Sequence, residues 1–445
     1  MNKPTFSEAL RVWLRIGLTS FGGPAGQIAM MNRMLVEERR WISEERFLHA
    51  LNYCTLLPGP EAQQLATYIG WLLHGTRGGV AAGVLFVLPG FLVILLLSAL
   101  YVTLGRVPAV QGLFWGLKAA VLAIVVEAVL RLGRKSLKHP LRWTLAGASF
   151  AALFFLGVPF PWVILVAGLT GLLGSRLHPA AFAPGARMQG SGGAVDEILE
   201  SGGGHLEASG RRAAGVLATW LPVWLGPVLA LGLWLGWTDT YTRIGVFFSK
   251  MAVVTFGGAY AVLAYVAQQA VENYHWLTSA EMLHGLALAE TTPGPLILVL
   301  QYVAFVAASR DPGLLNPLLA GTLGAALAVH VTFAPCFLWI LLGAPYIERL
   351  RTNRALAGAL AAINAAVVGV VMNLAVWFSL HALFTTMSEV RLGPLAIPVP
   401  AFPSIDVGLL VLGSGAMFAM LRFRAGMVPV LTACGGLGVA YQMIL

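Results

Sequence analysis

The sequence predicts an all-α protein that crosses a lipid bilayer about thirteen times, in two homologous halves of inverted topology. Three observations lead to this prediction. Hydrophobic residues make up 58% of the 445 positions and charged residues only 11%, whereas about a quarter of the residues in soluble domains are charged. Apolar segments of about 20 residues, long enough to cross a bilayer, recur along the chain. Two stretches also repeat each other and contain residues that interrupt helices.

Six predicted segments precede a long linker and seven follow it. They cover approximately residues 10–31, 48–72, 80–104, 112–132, 141–157 and 160–175, then 214–236, 245–270, 282–309, 316–342, 355–385, 405–421 and 425–443. The linker, residues 176–213, is rich in Gly, Ser and Ala, a composition typical of flexible connections. The predicted organisation is therefore an N-terminal repeat over 1–175, a cytoplasmic linker and a C-terminal repeat over 214–445.

The net charge of +9 arises mainly from Lys and Arg in short loops between apolar segments. In such loops these residues determine topology, so the charge does not indicate a nucleic-acid partner. With the N-terminus inside, the inner loops hold 18 basic residues and the outer loops hold 8. The sequence thus predicts a protein of the bacterial inner membrane, in contact with lipid, with a cytoplasmic N-terminus and a periplasmic C-terminus. The sequence leaves open whether the protein forms a homo-oligomer.

Nothing in the sequence indicates an enzyme. The three cysteines, Cys54, Cys336 and Cys434, lie in apolar segments without metal-ligand spacing. An intramembrane hydrolase would need a nucleophile with its base or a set of metal ligands, and neither an HExxH motif nor a Ser/His arrangement is present. We therefore predict no catalytic residue, no metal and no cofactor.

The internal repeat is the most informative feature. A shift of 235 residues aligns Arg15–Pro60 with Lys250–Pro295 without a gap, and 13 of the 46 positions are identical. Background composition would give about three or four identities. The first copy begins in segment one and the second in segment eight, an odd displacement that predicts inverted orientation. Inverted repeats place a substrate site at their pseudo-two-fold interface near the membrane midplane.

The first repeated motif is Phe21-Gly22-Gly23-Pro24, which is matched by Phe256-Gly257-Gly258-Ala259. Paired glycines weaken a helix, and Pro24 cannot donate a backbone hydrogen bond. We expect broken or re-entrant helices here, with the freed backbone groups facing a substrate. The alternative is that the small residues only let two helices approach closely.

The second repeated motif places two prolines around a glycine. It comprises Pro58, Gly59 and Pro60, and again Pro293, Gly294 and Pro295. Proline ends one helix and suits the first turn of the next, whose unpaired N–H groups and positive dipole end favour an anion. The motif predicts an anion site, and a simple interhelical turn is the alternative.

Arg15 and Lys250 occupy equivalent positions, seven residues before the first glycine of each FGG motif. A buried dianion needs compensating cations, so both are candidate substrate-binding residues. Each could instead snorkel to the headgroups. Lys118 has no basic counterpart in the second half, and its role stays open between structure and transport.

Four titratable residues near the motifs are candidates for proton coupling. Glu61 follows the first PGP motif, Glu290 precedes the second, and His49 and His284 are equivalent positions on the segments that lead to them. A carboxyl group in a low-dielectric site can exchange protons during transport. The alternatives are ion pairs for the carboxylates and helix packing for the histidines.

Residues Phe21–Pro24, Glu37–Trp41 and Leu57–Pro60, with their second-half echoes and Pro89-Gly90, resemble the chromate ion transporter family in its long, two-domain form. The resemblance covers essentially the whole chain. It implies secondary active export of chromate from the cytoplasm, driven by the membrane potential or a proton gradient, and hence chromate resistance. The alternative cargo is sulfate or another tetrahedral oxyanion, including by uptake.

Overall fold

The computed structural model describes residues 4–21, 23–178, 209–256, 259–346, 354–393 and 395–444. Most of them form helices. In chain order these are α1 Phe6–Thr19, α2 Gly23–Asn32, α3 Glu44–Cys54, α4 Glu61–Leu104, α5 Pro108–Ser136, α6 Pro140–Phe154, α7 Phe160–Leu177, α8 Gly210–Trp234, α9 Thr240–Val254, α10 Ala259–Gln268, α11 Ser279–Thr291, α12 Val299–Arg310, α13 Pro317–Gly343, α14 Arg354–Leu383, α15 Val407–Phe423 and α16 Met427–Ile444. Short 3-10 turns occupy Leu296–Leu298, Ala344–Tyr346 and Phe402–Ser404.

Seven helices within the described ranges are long and apolar enough to cross a membrane. They are α4, α5, α7, α8, α13, α14 and α16. The helix α15 and the segment Leu296–Arg310 are apolar but shorter. The prediction of a predominantly helical membrane protein is therefore confirmed, while the count of thirteen spans and the inversion of the halves stay predictions.

Helix α4 is a hairpin of two arms. The backbone leaves the helical region at His74 (φ −137°, ψ 23°) and Gly75 (φ 63°, ψ −155°). A Cβ atom added at Gly70 would lie 2.5 Å from the carbonyl oxygen of Gly78, and one added at Gly79 would lie 3.0 Å from that of Thr67. The chain thus reverses, and small residues let the two arms pack closely. This reversal agrees with separate predicted segments at 48–72 and 80–104.

The two sequence copies share unusual backbone conformations beyond their motifs. Each copy contains a π-helical stretch, Arg33–Glu38 in the first and Gln269–Asn273 in the second. Shortly after it, the amide of Trp41 donates to Leu35 O at 2.8 Å, and the amide of Trp276 donates to Ala270 O at 2.8 Å. The residues before those tryptophans, Arg40 and His275, both have φ of 53°. Isolated π-helical turns often occur near functional sites.

A β-hairpin between α14 and α15 corrects the all-α prediction. Strand β1 covers Met387–Leu392 and pairs antiparallel with β2, Leu395–Pro400, with Leu392 opposite Leu395. Gly393 has φ of +63° at the turn, a conformation that glycine adopts without a steric penalty. The β-branched residues at 390, 397 and 399 favour strands. The prolines nearby disfavour strands and hid this preference, and the pairing itself is a contact between two segments.

The helices divide into two compact units, and each draws residues from both predicted repeats. Unit 1 contains the described residues of Met1–Leu97, Gly185–Ala259 and Thr292–Asn353, and unit 2 those of Ser98–Pro184, Tyr260–Thr291 and Arg354–Leu445. The boundaries predicted for the repeats and the linker therefore stay predictions. Residues 179–208 of the linker lie outside the described residues.

Candidate functional site

The helices break where the glycine pairs predicted. Helix α1 ends at Thr19 and α2 begins at Gly23, while α9 ends at Val254 and α10 begins at Ala259. Gly23 has φ of +66° and is buried. The other predicted glycines of this motif, Gly22, Gly257 and Gly258, lie outside the described residues.

Both breaks have the same geometry. Ser20 (φ −78°, ψ 70°) and Thr255 (φ −76°, ψ 88°) adopt inverse γ-turn angles. Their hydroxyl groups donate to carbonyl oxygens one turn earlier, at 2.6 Å for Ser20 Oγ to Ile16 O and 2.5 Å for Thr255 Oγ1 to Met251 O. Both bonds satisfy carbonyl groups that the end of a helix leaves free.

The two PGP motifs form the predicted interruptions as well. Helix α3 ends at Cys54 and α4 begins at Glu61, while α11 ends at Thr291 and the 3-10 turn begins at Leu296. The glycines have φ of +126° at Gly59 and +95° at Gly294, where a side chain would be strained. The prolines on either side, Pro58, Pro60, Pro293 and Pro295, end one helical stretch and precede the next.

Within unit 1, each PGP turn is bonded to the helix break of the other copy. The amide of Gly59 donates to Thr255 O at 2.8 Å, and the amide of Gly294 donates to Ser20 O at 2.9 Å. Because Ser20 corresponds to Thr255 and Gly59 to Gly294 in the repeat, the two bonds form a pseudo-symmetric pair. Both glycine amides therefore already donate a hydrogen bond. The backbone N–H groups that lack an intrahelical acceptor are those in the first turn of the helix that follows each interruption.

Buried glutamines hold both turns in place. Gln27 Nε2 donates to Gly294 O at 2.5 Å and Gln64 Nε2 donates to Pro58 O at 2.7 Å. Gln301 Nε2 donates to Phe91 O at 2.8 Å. All three glutamines are almost fully buried. The Oε1 atoms of Gln64 and Gln301 have no hydrogen-bond partner in the described part of the chain, so they can accept a bond from water or from a protonated group.

Sequence reasoning missed these glutamines because the repeat does not carry them. Val262 and Val299 occupy the positions equivalent to Gln27 and Gln64. A different feature of the sequence could have identified them: a glutamine inside an apolar segment carries an uncharged amide that needs a buried hydrogen-bond partner.

The second arm of α4 approaches the second turn at Gly90. A Cβ atom added there would lie 2.4 Å from Pro293 O, and one added at Gly59 would lie 2.7 Å from Cys336 Sγ. Both turns are therefore enclosed so closely that side chains at these glycines would displace their neighbours.

The predicted cations do not lie among the buried side chains around the two PGP turns, which we call the buried cluster. Arg15 on α1 and Lys250 on α9 are both exposed on their helices. Glu290 is the single charged side chain that is almost fully buried within the described residues. The side chains inside the cluster of unit 1 are therefore neutral.

The four titratable candidates lie in different surroundings. In unit 1, His49 and Glu61 are half-buried. In unit 2, the ring nitrogen Nδ1 of His284 lies 3.2 Å from the hydroxyl of Tyr101, and Glu290 is buried. The structure therefore distinguishes the two carboxyl groups, which the sequence left equal.

Two cavities lie in the described residues, one in each unit, and neither suits an anion. A cavity of about 380 Å³ in unit 1 has an almost wholly apolar lining, and its one titratable residue, His330, bonds Val223 O at 2.6 Å. A cavity of about 420 Å³ in unit 2 contains Glu272, Glu389 and Arg391, and this arginine is paired with Glu389. In the part of the chain that the structure describes, no three His, Cys, Asp or Glu side chains gather to hold a metal ion.

Comparison with known proteins gives a consistent result. The chain is 30% identical over 435 residues to the "Chromate transport protein" of Pseudomonas aeruginosa, which covers 97% of this chain and 91% of the relative. It is 29% identical over 368 residues to the "Chromate transport protein" of Cupriavidus metallidurans, covering 82% of this chain and 81% of that protein. No solved structure matches.

A shorter relative reflects the internal duplication. The "Uncharacterized transporter YwrB" of Bacillus subtilis is 27% identical over 158 residues, which is 36% of this chain but 79% of the relative. That relative is therefore less than half as long as this chain. The profile of the family described as "Chromate transporter" matches residues 7–172 and 242–439, one region in each predicted repeat. By these matches, the chain belongs to the chromate transporter family.

Proposed function

We propose that this protein is a secondary active transporter that exports chromate from the cytoplasm and confers chromate resistance. The observation that supports it most is the crossed pair of bonds, Gly59 to Thr255 and Gly294 to Ser20, which joins four helix interruptions in one unit. Interrupted helices beside a pseudo-two-fold axis are where transporters bind their substrates. Family membership and the names of the relatives support chromate as the cargo.

The backbone amides at the starts of helices hold the anion in this proposal. The first turns of α2 and α4 begin at the interruptions, and their amides lack intrahelical partners. A helix N-terminus carries partial positive charge, which favours a tetrahedral oxyanion. Arg15 and Lys250, on exposed faces of the helices that lead to the breaks, attract the anion to the site.

The inverted arrangement is supported by contacts near the start of α8, a 25-residue candidate span, and by the position of α9 just after its end. Near the start of α8, Arg212 donates to Leu341 O at 2.9 Å and its guanidinium lies 5.2 Å from the ring of Trp71. One turn after Trp71, His74 Nε2 lies 2.9 Å from Pro4 O, just before α1. Helix α1 thus begins on the side where α8 begins, whereas α9, its counterpart, begins just after α8 ends.

The distribution of basic residues supports re-entrant segments. The predicted outer loops hold eight Lys and Arg residues, of which four, Arg33, Arg39, Arg40 and Arg46, lie between the end of α2 and the first turn of α3. If α1 with α2, and α3 with the first arm of α4, enter and leave on the cytoplasmic side, this loop is inner. The inner and outer counts then become 22 and 4, a stronger bias of the kind that orients membrane proteins.

Accessibility labelling tests this topology. Glu38 and Asn273 are equivalent exposed positions, and the three native cysteines are buried, so single Glu38→Cys and Asn273→Cys variants suffice. We expect a membrane-impermeant thiol reagent to label position 38 from the cytoplasm and position 273 from the periplasm. Labelling of both from one side contradicts the inverted arrangement.

Transport is tested in everted membrane vesicles with radiolabelled chromate. The proposal predicts energy-dependent accumulation, because the cytoplasmic face of everted vesicles points outward. Collapsing the membrane potential and the proton gradient separately identifies the driving force. Competition by excess sulfate separates the two cargoes: strong competition with little chromate accumulation favours a sulfate transporter, and accumulation only in right-side-out vesicles contradicts export.

A further inference from the structure

Glu290 occupies a site in unit 2 that suits a carboxyl group which gains and loses a proton. Only 2% of its surface is exposed. Its Oε1 accepts a hydrogen bond from the Tyr260 hydroxyl at 2.7 Å, while Oε2 has no partner within the described ranges. One neutral donor offsets only part of the cost that an ionised carboxylate pays for leaving water, and binding a proton removes that charge.

The charged groups around Glu290 come from α5, which packs against α11. Arg131 and Glu127 act on Glu290 electrostatically with opposite signs. They also pair with each other, because Arg131 Nη2 lies 3.6 Å from Glu127 Oε2. The arginine is therefore shared between two carboxyl groups, and Tyr260 on α10 supplies the direct hydrogen bond to Glu290.

Glu61, the other candidate, has a different environment. It is half-buried in unit 1 and lies in the first turn of α4, where the helix dipole stabilises negative charge. In the repeat, Thr55 and Ala25 occupy the positions equivalent to Glu290 and Tyr260. The carboxyl and hydroxyl pair therefore exists in the second copy alone, although both copies have the same helix interruptions.

We propose that Glu290 is the residue that binds the coupling proton, and that Tyr260 is its positioning residue. This inference rests on the proposed transport function. Glu290 is connected through Thr291 and Thr292 to the turn at Pro293, whose glycine bonds Ser20 in unit 1. A change of protonation at the end of α11 thus acts directly on the chain that forms the second PGP turn, and Glu61 takes no part in it.

The experiment uses the purified full chain in proteoliposomes and two assays with radiolabelled chromate. The first measures exchange of chromate for chromate at equal pH on both sides, which requires anion translocation but no net proton movement. The second measures accumulation driven by an imposed pH gradient. For Glu290→Gln we expect exchange within about two-fold of the unmodified protein and gradient-driven accumulation reduced about ten-fold or more. In the matched variant Glu61→Gln, the ratio of gradient-driven accumulation to exchange should stay that of the unmodified protein, whatever the exchange rate.

Every other outcome contradicts either the assignment of Glu290 or the proposed transport function. Gradient-driven accumulation that survives Glu290→Gln overturns the assignment, as does equal loss of both activities in a variant that elutes as folded protein. Absence of chromate exchange in the unmodified protein contradicts the proposed function instead, and exchange without a response to the pH gradient contradicts only the proton site.

Tyr260→Phe provides a second measurement in case Glu290→Gln does not fold. Loss of the hydroxyl removes a donor to the charged carboxylate, so the midpoint of the pH dependence of gradient-driven transport should move to higher pH. Exchange should be unaffected. An unchanged pH profile in a folded Tyr260→Phe protein overturns the positioning role.

Discussion

The two copies of the repeat share a backbone but differ in side-chain chemistry. Both break after a hydroxyl residue in an inverse γ-turn, and both donate a glycine amide to the other copy. Yet Gln27 and Gln64 belong to the first copy, while Tyr260 and Glu290 belong to the second. A common backbone geometry at the interruptions therefore does not require the same polar side chains in both copies.

The largest effect should come from breaking the shared backbone. Gly59→Ala forces a side chain onto φ of +126° and within 2.7 Å of Cys336 Sγ, and Gly294→Ala meets φ of +95°. Such strain costs of order 1–3 kcal/mol, and we expect chromate accumulation in everted vesicles to fall about ten-fold or more in both variants. Gly147→Ala in α6, where the added Cβ meets nothing within 4 Å, is the control. Normal transport by both PGP variants would show that the crossed bonds are dispensable.

Removal of either buried glutamine should lower transport, because each one bonds a different PGP turn. Gln64→Leu leaves Pro58 O without its donor and Gln27→Leu does the same to Gly294 O. A buried carbonyl group left unsatisfied costs about 1–3 kcal/mol, so we expect initial transport rates to fall about five-fold to ten-fold. Gln111→Leu, at an exposed position, should have little effect. Equal rates in all three variants would exclude the glutamines from the site.

Neutralising the two cations at equivalent positions of the repeat tests whether both copies attract the anion equally. Arg15→Gln and Lys250→Gln should each lower chromate transport several-fold at low ionic strength, with a smaller effect at high salt because exposed charges are screened. Arg134→Gln, at an exposed position in the last turn of α5, is the matched control. If Arg134→Gln lowers the rate as much as the other two, the assigned role is wrong.

The smallest effect should be the same in both copies. Ser20→Ala and Thr255→Ala each delete a hydroxyl that bonds the carbonyl oxygen of the fourth residue before it. One such bond contributes about 1 kcal/mol, so both variants should lose a similar, modest amount of thermal stability. Thr170→Ala removes the same type of bond from intact helix α7 and should be nearer neutral. Unequal losses would show that the two breaks differ energetically.

Much of the candidate site could be predicted from residue types alone. Paired glycines and the PGP motifs interrupt helices for local steric reasons, so their positions were predictable. The bonding of Gly59 and Gly294 was not, because it depends on segments about 200 and about 270 residues away. The predicted free amides are therefore those of the next turns, not those of the glycines.

Burial also separated candidates that appeared equivalent. Glu61 and Glu290 each lie beside a PGP motif, but the first is half-buried and the second is enclosed with Tyr260. Arg15 and Lys250 remain on exposed faces although their spacing from the glycines suggested a role inside the site. Which face of a helix is covered depends on its packing partners, and short motifs contain no record of those partners.

Composition and local sterics thus established a membrane protein with a duplicated, interrupted helix pair, since apolar length and the backbone limits of glycine and proline act within a few residues. Long-range packing settled how the amides at the interruptions are satisfied, which glutamines are buried and how the β-hairpin pairs. These outcomes depend on hydrogen-bond partners that meet only when the chain has folded, because each buried polar group must find one.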